Sequence, residues 1–365
     1  MKLGIIGLPN SGKTSLFDAL TRQQIETPAY PGQIGEETHV GVIKVPDGRI
    51  DRLSEIFRPK KTTYADVTCM DITGAARGIS SGRQKAAVMS EVWDVDALIH
   101  VVRAFEDPAV VHPDGEIDPA GDAAALELEL IFSDLELVET RLERIANDMK
   151  KGVGKHLESE QAVLEKCRAL LDEEKPLRNL QLSDEEKALV GSLQFASIKP
   201  ELVVLNVGED EIGSDRTAEI ISGLNDFYQG KEAQVLPLSA RIEMELSQLP
   251  PEEAEMFLAD LGIGEPAMNR VIREAYTLLG LISFLTAGAD EVRAWTIRRG
   301  TPAVKAAGKI HSDIERGFIR AEVIAYDDFI AAGDMARAKE LGTLRLEGKD
   351  YLVQDGDIIN FRFNV

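Results

Sequence analysis

The chain has 365 residues, enough for two or three domains with a sizeable core. Lys and Arg number 41 against 63 Asp and Glu, a formal net charge of −22, which argues against wholesale binding to nucleic acid or to an anionic membrane surface. No apolar run approaches membrane-spanning length, and Cys69 and Cys167 stand far apart in no metal-ligand spacing, so they read as reduced cytosolic thiols.

In chain order, "KLGII" (Lys2–Ile6) reads as a buried strand that runs into a glycine turn, not as a signal peptide. "SLFDALTR" follows as a helix with Leu16, Phe17 and Leu20 on one face. "THVGVIKV" (Thr38–Val45) is a second strand, followed by the turn "PDGR", and "YADVTCMDI" (Tyr64–Ile72) is a third. "ALIHVVRAF" (Ala97–Phe105) is nearly all apolar, as a central strand covered on both faces requires. "ELVVLNV" (Glu201–Val207) and "AQVLPLSA" (Ala233–Ala240) have the same character. Strands alternating with helices imply an α/β domain with a mostly parallel sheet.

Between these strands Leu128, Ile131, Leu135, Val138, Leu142, Ile145 and Met149 repeat at spacings of three and four, a heptad seam. "KKGVGK" (Lys150–Lys155) breaks it, and a second helix carries Leu157, Leu164, Cys167 and Leu171 on one face until Pro176. The two helices are expected to pair antiparallel. An ordinary core hairpin has the same seam; the charged outer faces and the position between two halves of a sheet favour a protruding coiled coil. After about Ala287, "DEVRAWTI", "FIRAEVI", "YLVQ" and "IINFRF" read as short strands around a helical "MARAKELG", a small α+β unit.

Gly7, four residues, then Gly12-Lys13-Thr14 fits a phosphate-binding loop, with the required strand before and helix after. Glycines let backbone N–H groups turn toward phosphate oxygens, and the helix N-terminus adds its dipole. Lys13 supplies charge to the β- and γ-phosphates, and the Thr14 hydroxyl is placed for Mg²⁺. Asp71 ends the neighbouring strand, where it can hold Mg²⁺ directly or through water, and Gly74 can offer its N–H to the γ-phosphate. A turn cap is the plainer reading of Asp71.

The base is read further on. GTPases of this architecture carry Asn-Lys-x-Asp after a late strand, but here the run is Asn206-Val207-Gly208-Glu209. The extra methylene of Glu209 displaces a carboxylate tuned for guanine, so adenine becomes the better fit. The alternative is that Glu209 is a solvated loop residue and Asp210 does the reading. Ser239 and Ala240, at the end of the next strand, are the expected backbone contact to the base.

With these residues in place the sequence resembles the YchF / Obg-like ATPase family. The stretches that carry the resemblance are "GLPNSGKTSLFDALT", "DITGAARG", "HVVRAFED", "NVGE", "EPAMNRVIREAY", "FLTAGADEVRAWTI", "AGKIHSDIERGFIRAEVI" and "GKDYLVQDGDIINFRFNV", in family order from end to end. The resemblance implies a Ras-like P-loop domain (1–120 and 197–280), an inserted antiparallel helical coiled coil (121–196) and a C-terminal ubiquitin-like, β-grasp TGS domain (281–365). It implies ATP in preference to GTP, Mg²⁺, slow hydrolysis, a cytoplasmic location, and a ribosome or other RNA-containing translation or stress-response partner. Neither a membrane nor sequence-specific DNA is implied.

Carried over residue by residue, Asn10, Ser11, Gly12, Lys13, Thr14 and Ser15 match the family's phosphate-binding run. Asn206, Val207 and Glu209 fall on its altered base motif. Ala75 stands at the apolar position that replaces the water-positioning Gln of Ras-like enzymes. His112, in "FEDPAVVHPDG", matches a family histidine expected to approach the γ-phosphate from a flexible segment; a plain surface histidine is the alternative. Two departures stand out. Gly35 replaces a Thr that completes the Mg²⁺ shell, for which Thr38 is the nearby substitute, and the second switch, "GISSGRQKAAVM", is short.

Three functions are compatible with this pattern. The first is a slow Mg²⁺-dependent ATPase that acts as a switch, with Lys13, Thr14 and Asp71 carrying catalysis by positioning and charge. The others are a non-hydrolysing nucleotide-dependent adaptor and a GTP switch. Lys150, Lys151 and Lys155 at the hairpin tip, with Arg298 and Arg299 near the C-terminal unit's turn, are local basic clusters that serve equally as solvated surface or as phosphate contacts.

Overall fold

The computed structural model describes residues 1–22, 39–72, 83–113, 115–152, 157–228 and 233–364. The chain forms two compact units: Met1–Val42 with Thr68–Val271, and Ile43–Val67 with Ile272–Val365.

The strands are β1 (Lys2–Ile6), β2 (His39–Lys44), β3 (Lys61–Thr63), β4 (Asp66–Asp71), β5 (Ala97–Arg103), β6 (Glu201–Asn206), β7 (Ala233–Leu238), β8 (Leu281–Ala287), β9 (Glu291–Arg298), β10 (Phe318–Ala325), β11 (Arg345–Glu347) and β12 (Asp357–Phe363). The first sheet has the order β2-β4-β1-β5-β6-β7. From β4 to β7 every pairing is parallel. Every residue of β5 and β6 is buried, which the nearly all-apolar runs foretell. Because these strands are parallel, their carboxyl ends share one edge, where ligands bind in open α/β sheets. Gly7, Asp71, Ala104, Val207 and Ser239 all lie there.

The helix Pro119–Lys150 is started by the Asp118 side chain, which accepts from the Gly121 N–H, and by Pro119 in its first turn. Its apolar residues divide their loyalties. Leu126 and Leu130 pack with Ile6, Met70, Val92 and Leu98 of the sheet region. Ile131, Val138, Leu142 and Ile145 pack with Val163, Leu164, Cys167 and Leu171 of the helix Glu158–Asp172. Leu128 shares the seam's face but is only half-buried and lies outside both clusters, one turn before the helix reaches its partner. Leu177, Leu182, Val190 and Phe195 complete the core, so the insertion is more than a hairpin: a short helix, Asp184–Val190, with a Ser183–Glu186 capping box, joins it. Arg141 grips Glu160 through two hydrogen bonds of 2.7 and 2.8 Å. At the other end Arg178, past the second helix, meets Glu127 of the long helix at 2.6 Å, so the two helices run antiparallel. Lys155 lies outside the described residues.

The second unit is built on a sheet of order β11-β10-β12-β8-β9-β3. β8 and β9 form a hairpin, β12 runs parallel to β8, and β10 pairs antiparallel with β12, the β-grasp arrangement. Ala303, Ala306 and Ala307 of the helix Ala303–Ile310 let it lie close on Ile282, Phe284, Ile297 and Ile359. "YLVQ" is not a strand; it contributes one isolated bridge, Leu352 to Pro302, with the Tyr351 carbonyl accepting from the Ala303 N–H and the Val353 N–H donating to the Thr301 carbonyl, after which the Gln354 N–H turns to the Asp357 side chain. Leu281–Ala287, unmarked in the sequence reading, is a strand, as is the short Arg345–Glu347. Ile43–Val67 belongs with this unit. Asp47 caps the helix Gly48–Phe57, β3 pairs with β9, Arg49 pairs with Asp355 at 2.9 Å, and Phe57 stacks on Phe329.

Candidate nucleotide site

The loop after β1 turns sharply at Gly7 (φ +152°), Asn10 (φ 64°) and Gly12 (φ +98°). A side chain at Gly7 would collide with the Val101 carbonyl, and one at Gly12 with the Asn206 amide, so both positions demand glycine for space as well as for φ. Lys13 opens the following helix. Its Nζ donates to the carbonyls of Gly7 (2.9 Å) and Leu8 (2.8 Å), bracing the loop it springs from. Burial lowers the Lys13 pKa to about 8, against the pull of the Asp71 charge.

The Thr14 hydroxyl donates to Asp71 Oδ2 at 3.0 Å. Asp71 is fully buried, and among the described residues its Oδ1 has no hydrogen-bond partner; nor does the buried Ser11 hydroxyl. Burial raises the Asp71 pKa, opposed by the Thr14 hydrogen bond and by Lys13. Thr14 and Ser15 are exposed, so the pocket floor is buried while its rim is open. Thr38, Gly35, Gly74 and Ala75 lie outside the described residues.

On the base side, Asn206 is buried with its amide engaged at both ends. Nδ2 donates to the Ser11 carbonyl (2.9 Å), and Oδ1 accepts from the Ala240 N–H (3.0 Å). One side chain thus ties the phosphate loop to the loop after β7. Val207 and Ser239 are buried, and the Val207 N–H donates to the Leu238 carbonyl at 2.9 Å. Glu209 is exposed and meets Arg241 at 2.6 Å; Asp210 beside it is exposed as well.

His112 differs from expectation. It is buried rather than carried on an open segment, and its Nε2 lies 2.9 Å from Asp122 Oδ2 in the first turn of the long helix. The preceding residue touches the phosphate loop: Asn10 Nδ2 donates to the Val111 carbonyl at 2.9 Å. Arg103, at the end of β5, holds the same segment by donating to the carbonyls of Phe105 (3.2 Å) and Val110 (2.8 Å). Asp122, Arg103 and Arg241 were not singled out in the sequence. None belongs to a spaced motif, and only the fold brings them to this edge.

A glycine-braced loop leading from a central parallel strand into a helix, with Lys13, Thr14 and a buried acid on the adjacent strand, defines a P-loop nucleotide-binding protein. Residues 2–129 match the family model described as a 50S ribosome-binding GTPase, and residues 281–364 match YchF-GTPase_C, described as a protein of unknown function. The chain is 44% identical to "Ribosome-binding ATPase YchF" of Bacillus subtilis over 99% of both chains. It is 41% identical to the Escherichia coli protein of the same name, over 100% of this chain and 99% of that one. The solved "Structure of the Schizosaccharomyces pombe YchF GTPase" superposes with a TM-score of 0.85 at 32% identity, covering 99% of this chain and 97% of the other. The chain belongs to the YchF family.

Proposed function

We propose that this chain is a Mg²⁺-dependent ATPase of low intrinsic rate that acts in the cytoplasm as a nucleotide-controlled switch on the ribosome. The observation that carries the reading is the Thr14–Asp71 pair, with Asp71 Oδ1 unpartnered among the described residues in a buried position beside the phosphate loop. A hard divalent cation takes oxygen ligands, and a buried carboxylate oxygen with no donor fits one. Thr14 and Asp71, with Thr38 as a third candidate, are the residues that would hold Mg²⁺. When bound, the ion neutralises charge on the β- and γ-phosphates.

The rest of the work falls to the protein. The backbone N–H groups from Asn10 to Ser15 cradle the phosphates, and Lys13 turns from its own loop carbonyls to the β/γ oxygens. Gly74 donates its N–H to the γ-phosphate. Such catalysis is positioning and charge stabilisation, with little covalent chemistry for the protein to perform. His112 is the residue assigned to the attacking water, and Ala75 has no group that can orient it. At the base, Ser239 and Ala240 supply backbone contacts held in place by Asn206, and Val207 and Glu209 line the edge that favours adenine. The names of the relatives and their match over nearly the whole chain support the ribosome as partner.

Calorimetry with ATP and GTP side by side, with Mg²⁺ and with turnover read on the same sample, tests this. Tighter ATP binding with slow hydrolysis supports it. Binding without turnover would make the protein an adaptor, and tighter GTP binding would make it a GTP switch and point to Asp210. Co-sedimentation with 70S ribosomes, with and without nucleotide, tests the partner.

A further inference from the structure

Val111 and His112 are chain neighbours whose burial is the reverse of what their chemistry favours: the valine is 74% exposed and the histidine 6%. Burying an apolar side chain is favourable, whereas a ring nitrogen taken from water needs a partner. Asp122 is that partner, 2.9 Å from Nε2. It is fixed in turn by the capped first turn of the long helix. The backbone just before His112 is held elsewhere, by Asn10 of the phosphate loop on the Val111 carbonyl and by Arg103 on the Val110 carbonyl. The hydrogen bond to Asp122 holds the imidazole against the helix while its own backbone rests against the phosphate loop. The exposed valine and the buried histidine face opposite ways, so a local rotation of the segment would exchange one for the other. Gly115, in the left-handed region at φ +86° with open space around it, gives the segment a pivot.

We propose that Asp122 is a positioning residue for hydrolysis: it latches His112 against the long helix, and exchanging that hydrogen bond for burial of Val111 delivers the imidazole to the phosphate side. The proposal rests on the reading of His112 as the residue that acts on the attacking water. The exchange trades the His112–Asp122 hydrogen bond for burial of Val111, and a bias on either side shifts the population. Because Asp122 belongs to the long helix, a movement of that helix changes the strength of the latch. Contact at the helical insertion then has a direct route to the hydrolysis rate.

Steady-state ATP turnover with Mg²⁺ on the full-length chain tests it, using Asp122→Ala, His112→Ala, the double variant and Val111→Thr. Removing the latch is expected to raise kcat by about three- to tenfold with KM unchanged. A substitution that merely loosened the helix would not raise kcat. The double variant should fall to the level of His112→Ala. Val111→Thr alters an exposed side chain almost isosterically; it should leave thermal unfolding unchanged yet lower kcat several-fold, because a threonine gains less on burial. Should Asp122→Ala prove poorly folded, the Val111→Thr result decides alone. The latch is overturned if His112→Ala lowers kcat while Asp122→Ala lowers it or leaves it unchanged, or if Val111→Thr leaves kcat unaltered. If His112→Ala itself has no effect on kcat, the assignment of His112 fails, and that outcome is distinct from failure of the latch.

Discussion

Arg178 and Glu201 face each other 2.9 Å apart with almost no exposure to solvent, at the end of β6 farthest from the phosphate loop. The contact is close as a charge pair but not aligned as a hydrogen bond. Arg178 donates instead to Glu127 (2.6 Å) and to the Lys199 carbonyl (2.9 Å), while Glu201 takes His100 at 2.8 Å and Tyr228 at 3.3 Å. Burial alone would push the Glu201 carboxyl up; Arg178 and His100 overcome it and hold the group well below the usual range. The cluster fastens the root of the helical insertion to the sheet.

Arg178→Met is accordingly expected to be severe. It leaves the Glu127 and Glu201 carboxylates buried without their shared cation, and breaking a buried ion pair from one side costs about 3–5 kcal/mol. Urea unfolding followed by circular dichroism checks this. A loss below about 1 kcal/mol would mean that the two carboxylates find other partners.

Asn206→Ala should weaken two properties together. It removes the tie between Ser11 and Ala240 and leaves the Ala240 N–H buried and unpaired, a cost of about 1–3 kcal/mol. Since the tie shapes both the phosphate and the base contacts, nucleotide affinity should fall by about tenfold or more. Calorimetric titration read beside a thermal melt separates this from a simple loss of fold.

Lys13→Met should abolish nucleotide binding while stabilising the fold. The Lys13 pKa is lowered to about 8 from its ordinary 10.5 by burial, so below pH 8 the folded chain carries an ammonium that the unfolded chain solvates better. Wild-type stability therefore rises with pH between about 8 and 10.5, and the methionine variant, lacking that charge, does not follow it. At pH 7 the variant should be more stable by about 1–2 kcal/mol, and the advantage should shrink through that window. Unfolding free energies measured from pH 7 to 10.5 decide it.

Glu243 gives a pH dependence in the acid-to-neutral range. It sits on the helix that begins at Ala240 and accepts the backbone N–H of Ala267 at 2.7 Å. Burial pushes its pKa up to about 7, against its bonds to the Ala267 and Met268 amides. A raised carboxyl contributes stability below its unfolded pKa near 4.5 and loses it as pH rises through 7. Glu243→Gln should remove this dependence, gaining on wild type by about 1–3 kcal/mol between pH 5 and pH 8. Equal slopes in chemical denaturation across that range would contradict it.

The phosphate loop and the strands around it were legible because their signals are local. Gly7, Gly12, Lys13 and Thr14 are fixed by spacing, and β1, β5 and β6 by predominantly apolar runs. What remained hidden depends on tertiary partners. The motif marks Asn206 as a base contact, but no sequence feature says that its amide is engaged by Ser11 and Ala240. His112 looked like a loop residue because Asp122, which buries it, belongs to no motif with it. Leu128 fits the heptad arithmetic, yet the long helix changes partners near Ile131, and a helix that serves two cores shifts its apolar face. "YLVQ" has strand composition, but its backbone pairs with the short Thr301–Ala303 stretch and the Asp357 side chain and builds no longer ladder.

The placement of Ile43–Val67 with the C-terminal residues has a consequence for how this gene can be cut. The chain crosses between the two units three times, at 42/43, 67/68 and 271/272. A product ending near residue 280 would not be a freestanding nucleotide-binding fragment. It would keep the helix Gly48–Phe57 and strand β3 but lose β8 and β9, leaving Ile50 and Leu53, now fully buried, as a naked apolar stripe. Premature termination or proteolytic trimming of the C-terminal unit therefore yields an aggregation-prone remnant rather than an unregulated enzyme, and the two halves of the protein have to be inherited and synthesised together.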